Sequence, residues 1–156
     1  MVTERLTSRQ QNATTSITLH KHDYKLEFIK GSDAFKPGLP YQFTIKVARQ
    51  DDVPVSDPNP AALQVKYGYS YNHDEYETMT YSVPPNGLVT VILRPPSNDS
   101  IVILGLEATY KDLTEWFPTV QRALSKSNTY IEVSLNTDDP KVCEVPVKIL
   151  MIKLRK

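Results

Sequence analysis

Phe35-Lys36-Pro37-Gly38-Leu39-Pro40-Tyr41 is the stretch that decides the fold. It stands between two runs in which apolar and polar residues alternate. Tyr24-Lys25-Leu26-Glu27-Phe28 precedes it, and Tyr41-Gln42-Phe43-Thr44-Ile45-Lys46-Val47 follows. Period two marks strands with one buried face. Two prolines of fixed φ with a glycine between them mark a sharp corner between such strands. The reading predicts a tight turn at Pro37-Gly38 and a positive φ at Gly38, where a missing Cβ removes the steric cost. It also predicts that Phe35 packs across the domain entrance.

Working outward, the same alternation predicts strands over Tyr24–Lys30, Tyr41–Ala48, Leu63–Ser70, Tyr76–Val83, Leu88–Leu93 and Ile101–Tyr110. Turn signals separate them. Arg49–Pro54 reads as a hairpin-type loop, continued by Asp57-Pro58-Asn59-Pro60. Tyr71–Glu75 reads as a turn. Pro84-Pro85-Asn86-Gly87 reads as a tight turn with Gly87 at positive φ. Ile101-Val102-Ile103-Leu104 is apolar on both faces, as a central strand is. Tyr110-Lys111-Asp112 then leads through Trp116-Phe117-Pro118, either an exposed contact patch or a plug over the open end, to an extended run at Tyr130–Leu135. Short strands at this spacing predict an all-β, antiparallel β-sandwich of the immunoglobulin or fibronectin-III kind over 23–122. Residues 1–22 read as the end of a preceding unit and 123–156 as the start of a following, truncated one. Within the latter, Val147–Lys156 reads as one strand without partners in this chain. The expected core is Tyr41, Phe43, Ile45, Leu63, Val65, Leu88, Ile92, Val102, Leu104 and Leu106.

Composition excludes several functions. Lys plus Arg equals Asp plus Glu, 18 each, so nothing favours nucleic acid or an anionic membrane surface. No run approaches the roughly 20 apolar residues that a membrane helix needs. Thr3-Glu4-Arg5-Leu6-Thr7-Ser8-Arg9 is polar, so no leader follows Met1, and the expectation is an intracellular protein or an inner piece of a longer one. Cys143 is the single cysteine, an idle thiol or half of a bridge to a residue outside the chain. Two sequons, at Asn12 and Asn98, are candidate glycosylation sites and point outward; Asn98 lies in the turn Pro95-Pro96-Ser97-Asn98.

Chemistry-bearing clusters are few. His20 and His22 share a strand parity and would bind a metal only with a third ligand such as His73; otherwise they belong to a solvated linker. Asp51-Asp52 and Asp138-Asp139 read as turn formers rather than paired acid–base carboxylates. There is no phosphate loop, nucleophile elbow or zinc spacing. No catalytic or metal residue and no cofactor is expected. One reading of the residues is an independent adhesion or receptor ectodomain module that binds a partner through Tyr67, Tyr69, Tyr71 and Trp116. An intracellular hydrolase accessory is a further class.

Several segments resemble, in order, the fourth macroglobulin repeat of the alpha-2-macroglobulin, complement and thioester-containing protein family. These are Tyr24–Phe28 with the corner Phe35–Pro40, then Asn86-Gly87-Leu88-Val89, then Ala108-Thr109-Tyr110-Lys111-Asp112. Ser125-Lys126-Ser127-Asn128-Thr129-Tyr130-Ile131 is similar to the start of the next repeat, and Val2–His20 looks like the closing strand of the third. The wording is most similar to arthropod thioester-containing proteins. Phe35, Pro37, Gly38, Pro40 and Gly87 carry the domain signature. The resemblance implies a seven-stranded, non-catalytic macroglobulin domain within a secreted, extracellular glycoprotein that traps proteases or tags microbial surfaces in innate immunity. Its partners would be the neighbouring macroglobulin domains, and proteases or microbes only through the parent. The bait segment and the Gly-Cys-Gly-Glu-Gln thioester of the family are not in this chain, nor is its interchain cysteine, since Leu113–Arg122 contains none. Cys143 falls near a position where the next repeat of some members carries a cysteine, and Val147–Lys156 departs from the family pattern.

Overall fold

The computed structural model describes residues 2–3, 10–11, 14–55, 61–98, 100–127, 129–135 and 147–153. Asn12, Cys143, Asp57-Pro58-Asn59-Pro60 and Asp138-Asp139 lie outside the described residues. In chain order the strands are β1 (Val2–Thr3), β2 (Gln10–Gln11), β3 (Tyr24–Lys30), β4 (Ala34–Phe35), β5 (Tyr41–Arg49) and β6 (Leu63–Gly68). A 3-10 turn at His73–Glu75 precedes β7 (Glu77–Tyr81), β8 (Leu88–Leu93), β9 (Ile103–Tyr110) and β10 (Leu113–Arg122). Then come β11 (Thr129–Leu135) and β12 (Val147–Lys153). No helix among the described residues is long and apolar enough to cross a membrane.

The chain is all-β, and its centre is a sandwich. A three-stranded sheet, β3-β5-β8, faces a five-stranded sheet, β4-β10-β9-β6-β7. Seven of these strands are long; β4 is a two-residue piece paired parallel to the end of β10, and every other ladder is antiparallel. Alternation builds the core. In β5, Tyr41, Phe43, Ile45 and Val47 are at most 2% exposed, while Gln42 stays in water. Leu63 and Val65 of β6 and Leu104 and Leu106 of β9 meet them. β9 runs between β10 and β6 and is buried on both faces from Ile103 to Ala108. Aromatic rings close one side of the sandwich: Phe117 stacks on Phe28 at 5.1 Å and Tyr24 meets Tyr110 edge-on at 5.3 Å.

Three expected core residues are not buried. Leu88, Ile92 and Val102 are 39%, 52% and 51% exposed. β8 reads Leu-Val-Thr-Val-Ile-Leu, apolar at both parities, so alternation cannot choose its inner face. Pairing chooses it: Val89, Val91 and Leu93 stand opposite Ile45, Phe43 and Tyr41, whose side chains already point inward. Val102 lies one residue beyond the last β9–β10 rung, Gln121↔Ile103, at the rim.

Two further readings are corrected. The segment after Asp112, read as a connection, is the ten-residue strand β10. Pro118 hides it, because an interior proline argues against a strand. Here the proline sits between Phe117 and Val120, where the register shifts, so its missing N–H breaks no ladder bond. Trp116 and Phe117 therefore do not act together: Phe117 points in and Trp116 points out. Val147–Lys153 also has a partner, because it forms an antiparallel hairpin with β11 from Thr129↔Lys153 to Leu135↔Val147.

Candidate functional site

The corner is a type II turn. Leu39 N–H donates to Lys36 O at 3.1 Å, Pro37 takes the second position and Gly38 the third with φ 75°. Gly38 N–H donates to Pro95 O at 3.0 Å, which ties the turn to the end of β8. Phe35 is fully buried in the sandwich core, with its ring 6.1 Å from that of Tyr69. Pro40 is half-buried and leads into Tyr41, whose hydroxyl donates to Ser32 O at 3.1 Å. At the other signature turn, Gly87 N–H donates to Pro84 O and Gly87 O accepts from Val47 N–H, both at 2.8 Å. Gly87 has φ 69°, and a Cβ there would sit 2.3 Å from Val47 O.

The corner also faces outward, toward β11. Leu39 and Tyr130 form a small core of their own, with Ala123 packed against it. The Tyr130 hydroxyl donates to Ala123 O at 2.9 Å and accepts from Arg122 Nε at 3.3 Å. Ala123 N–H donates to Phe35 O at 2.8 Å, and Lys36 Nζ donates to Ile131 O at 2.8 Å. Ser125 Oγ closes the intervening turn by donating to Thr129 O at 2.9 Å. The two signature segments, Phe35–Pro40 and Ser125–Ile131, thus touch each other and make a joint between the sandwich and the hairpin that follows it.

Among the described residues the remaining candidates make structural contacts. His22 Nδ1 lies 3.1 Å from Asp112 Oδ2, and this contact holds the Asp112 carboxyl below its ordinary value. Gln50 Nε2 donates to His22 O and Tyr24 O, fastening the strand entry. His20 lines the same open cleft of about 550 Å³, but His73 sits on the 3-10 turn against Trp116 instead. Among the described residues no three His, Cys, Asp or Glu side chains gather to hold a metal. Asp52 turns the β5 hairpin at φ 69° and takes Lys25 Nζ at 2.8 Å and Lys46 Nζ at 3.1 Å. Those lysines, Lys25 first, hold its carboxyl below the usual range. Asp51 accepts from Val53 N–H at 3.2 Å. Asn98 is exposed, and its Oδ1 accepts from Ser100 N and Oγ, both at 2.9 Å.

Tyr67, Tyr69, Tyr71 and Trp116 do not form one binding patch. Tyr67 and Tyr69 pack against the core. Tyr67 donates to Glu77 Oε2 at 2.5 Å, and that bond, then burial, pushes its phenol up to about 12. The Tyr69 hydroxyl is buried without a hydrogen-bond partner among the described residues, and burial raises its pKa. Trp116 instead joins His73 and Tyr76 on the outer face of the five-stranded sheet. Tyr76 lies over the cross-strand pair Gly68 and Gly105, where an added Cβ would come within 2.2 Å and 1.8 Å of it. Glycines inside two strands are the one sequence signal for that close approach.

Residues 26–128 match the family model of the macroglobulin domain MG4. The chain is also similar to thioester-containing protein 1 of Anopheles gambiae. It is 25% identical to allele S1 and 24% identical to alleles R1 and S3, over 134 residues in each case. These alignments cover 86% of this chain and 9% of each relative, so the chain spans less than a tenth of the length of the curated relatives it matches. The matched residues run from β3 through β10 to the turn before β11, and they contain the corner and Gly87. The chain belongs to the macroglobulin domain MG4 family.

Proposed function

We propose that this chain is a non-catalytic scaffold segment of a secreted thioester-containing, alpha-2-macroglobulin-like protein, and that its parent acts in endopeptidase inhibition and innate immune opsonisation. The observation that carries the reading is the joint. A free-standing module has no need to bury a corner residue against the next strand, yet Leu39 is 1% exposed and Tyr130 4%. The scaffold residues are those of the joint, Lys36, Leu39, Arg122 and Tyr130, and their partners are neighbouring macroglobulin domains. In this reading residues 1–22 end one domain, 23–122 form a complete one and 123–156 begin the next. Asn98 and Asn12 carry glycans, and Cys143 pairs with a cysteine outside the chain. Proteases and microbial surfaces are met only through the parent.

The test has two arms. The purified chain, mixed with an equimolar endopeptidase, is expected to leave proteolysis of a protein substrate unchanged, because one sandwich encloses nothing. The parent protein carrying Leu39→Asp is expected to lose secretion or compactness. Stoichiometric inhibition by residues 1–156 alone, or a parent indifferent to Leu39→Asp, overturns the scaffold reading.

A further inference from the structure

The outer face of the five-stranded sheet carries a feature that the scaffold reading does not use. Three rings meet there in a built arrangement. His73 lies 4.6 Å edge-on from Trp116 and 5.0 Å from Tyr76, and Tyr76 lies 6.4 Å from Trp116. From below, the Tyr76 ring rests on Gly68 and Gly105. The turn itself is fastened from within. Asn72 Oδ1 accepts from Asp74 N–H at 3.2 Å, while Glu75 accepts from Asn72 Nδ2 at 3.1 Å and from Ser70 Oγ at 2.9 Å. Despite this support Trp116 stays 53% exposed. Rings held rigidly in water lose little entropy when a partner covers them.

The charge around the rings selects the partner. Residues 67–93 contain Asp74, Glu75 and Glu77 and no Lys or Arg. Glu77 is taken by Tyr67, but Asp74 and Glu75 are exposed and have no ion pair among the described residues. Glu107, 7% exposed, stands opposite both Lys66 and Trp116 in the register, and Lys66 Nζ lies 3.6 Å from it. Lys66 is therefore already committed, and the 3-10 turn that brings His73 to the indole keeps two carboxylates without an ion pair among the described residues. An indole face next to uncompensated carboxylates attracts a cation. Guanidinium suits both parts, since it stacks on aromatic rings and hydrogen-bonds carboxylates. A neutral sugar or an apolar helix would use the ring and leave the carboxylates idle.

We propose that Trp116, His73, Asp74 and Glu75 form a docking site for an arginine side chain on a basic, extended segment of a partner protein. The guanidinium covers the exposed part of the Trp116 indole and pairs with the carboxylates of the 3-10 turn. The site stands on the outer face of the sheet, apart from the Leu39–Tyr130 joint, and holds whether or not the scaffold reading does.

The full 156-residue chain is titrated with a tetra-arginine peptide, with tetra-citrulline as the neutral control of the same shape. Trp116 is the chain's single tryptophan, so its fluorescence reports occupancy directly. The expected result is a saturable change with tetra-arginine, weakened by added salt and at least about tenfold weaker with tetra-citrulline. By calorimetry Asp74→Asn and Glu75→Gln each raise the apparent Kd about threefold. Glu27→Gln, the same charge change on the other sheet, leaves it unaltered. No saturable change, equal binding of citrulline, equal weakening by Glu27→Gln, or tighter binding of a neutral oligosaccharide overturns the proposal.

Discussion

Leu39 in the corner and Tyr130 on the first strand after the sandwich bury one another in a core separate from the main one. The corner is thus two-sided: Phe35 enters the sandwich and Leu39 leaves it for the next strand. Tyr130→Ala is expected to undock the β11–β12 hairpin without unfolding the sandwich. Hydrogen exchange reads this directly, with faster exchange in β11 and unchanged protection in β5 and β9. Tyr130→Phe loses only the bonds to Ala123 O and Arg122 Nε and should cost about 1 kcal/mol.

The two signature glycines predict unequal damage. Gly38 and Gly87 have φ of 75° and 69°. Valine at Gly38 meets backbone strain of roughly 1–3 kcal/mol. Gly87→Val adds a collision with the Val47 carbonyl, 2.3 Å from the new Cβ, and should destabilise more. Urea denaturation midpoints of the two variants check the order.

The inner face of β8 is open to a simple comparison. Leu93→Ala, at a position 2% exposed, should cost about 2–5 kcal/mol, while Ile92→Ala should stay within about 1 kcal/mol. Phe43→Ala should cost about 3–5 kcal/mol. Equal losses at Leu93 and Ile92 would contradict the register.

Asp52 supplies an acid-sensitive element. Its folded-state pKa lies below the ordinary 3.8, so its pairing with Lys25 and Lys46 stabilises fully at neutral pH. The contribution fades only as pH falls below about 3.8, through the lowered folded value. Asp52→Asn retains a residue that tolerates positive φ and removes only the charge. The Tm difference between the chain and this variant should be constant near neutrality, shrink with added salt and vanish at low pH.

Asn98 should be glycosylated when the chain is made through a secretory pathway, since it is exposed in a complete sequon. Intact-mass measurement of secreted material decides this, and a mass without glycan at Asn98 counts against it.

Much of this architecture is written locally. Alternation in Tyr24–Phe28 and Tyr41–Val47 specifies strands because side chains on a pleated backbone change face at every residue. The sequence Pro37-Gly38 specifies its own turn, since one residue fixes φ and the next tolerates the positive value. What the tertiary structure decided is whatever depends on a partner distant in the chain. The inner face of β8 follows from pairing with β5, because its own sequence is apolar at both parities. β10 was hidden by Pro118, which only a register shift against β9 accommodates. Tyr67 and Tyr69 pack against the core, and Trp116 finds His73 and Tyr76, because strand order and register set which residues share a face. The Leu39–Tyr130 contact was invisible for the same reason: each segment shows its own turn, but nothing local states that the two turns meet.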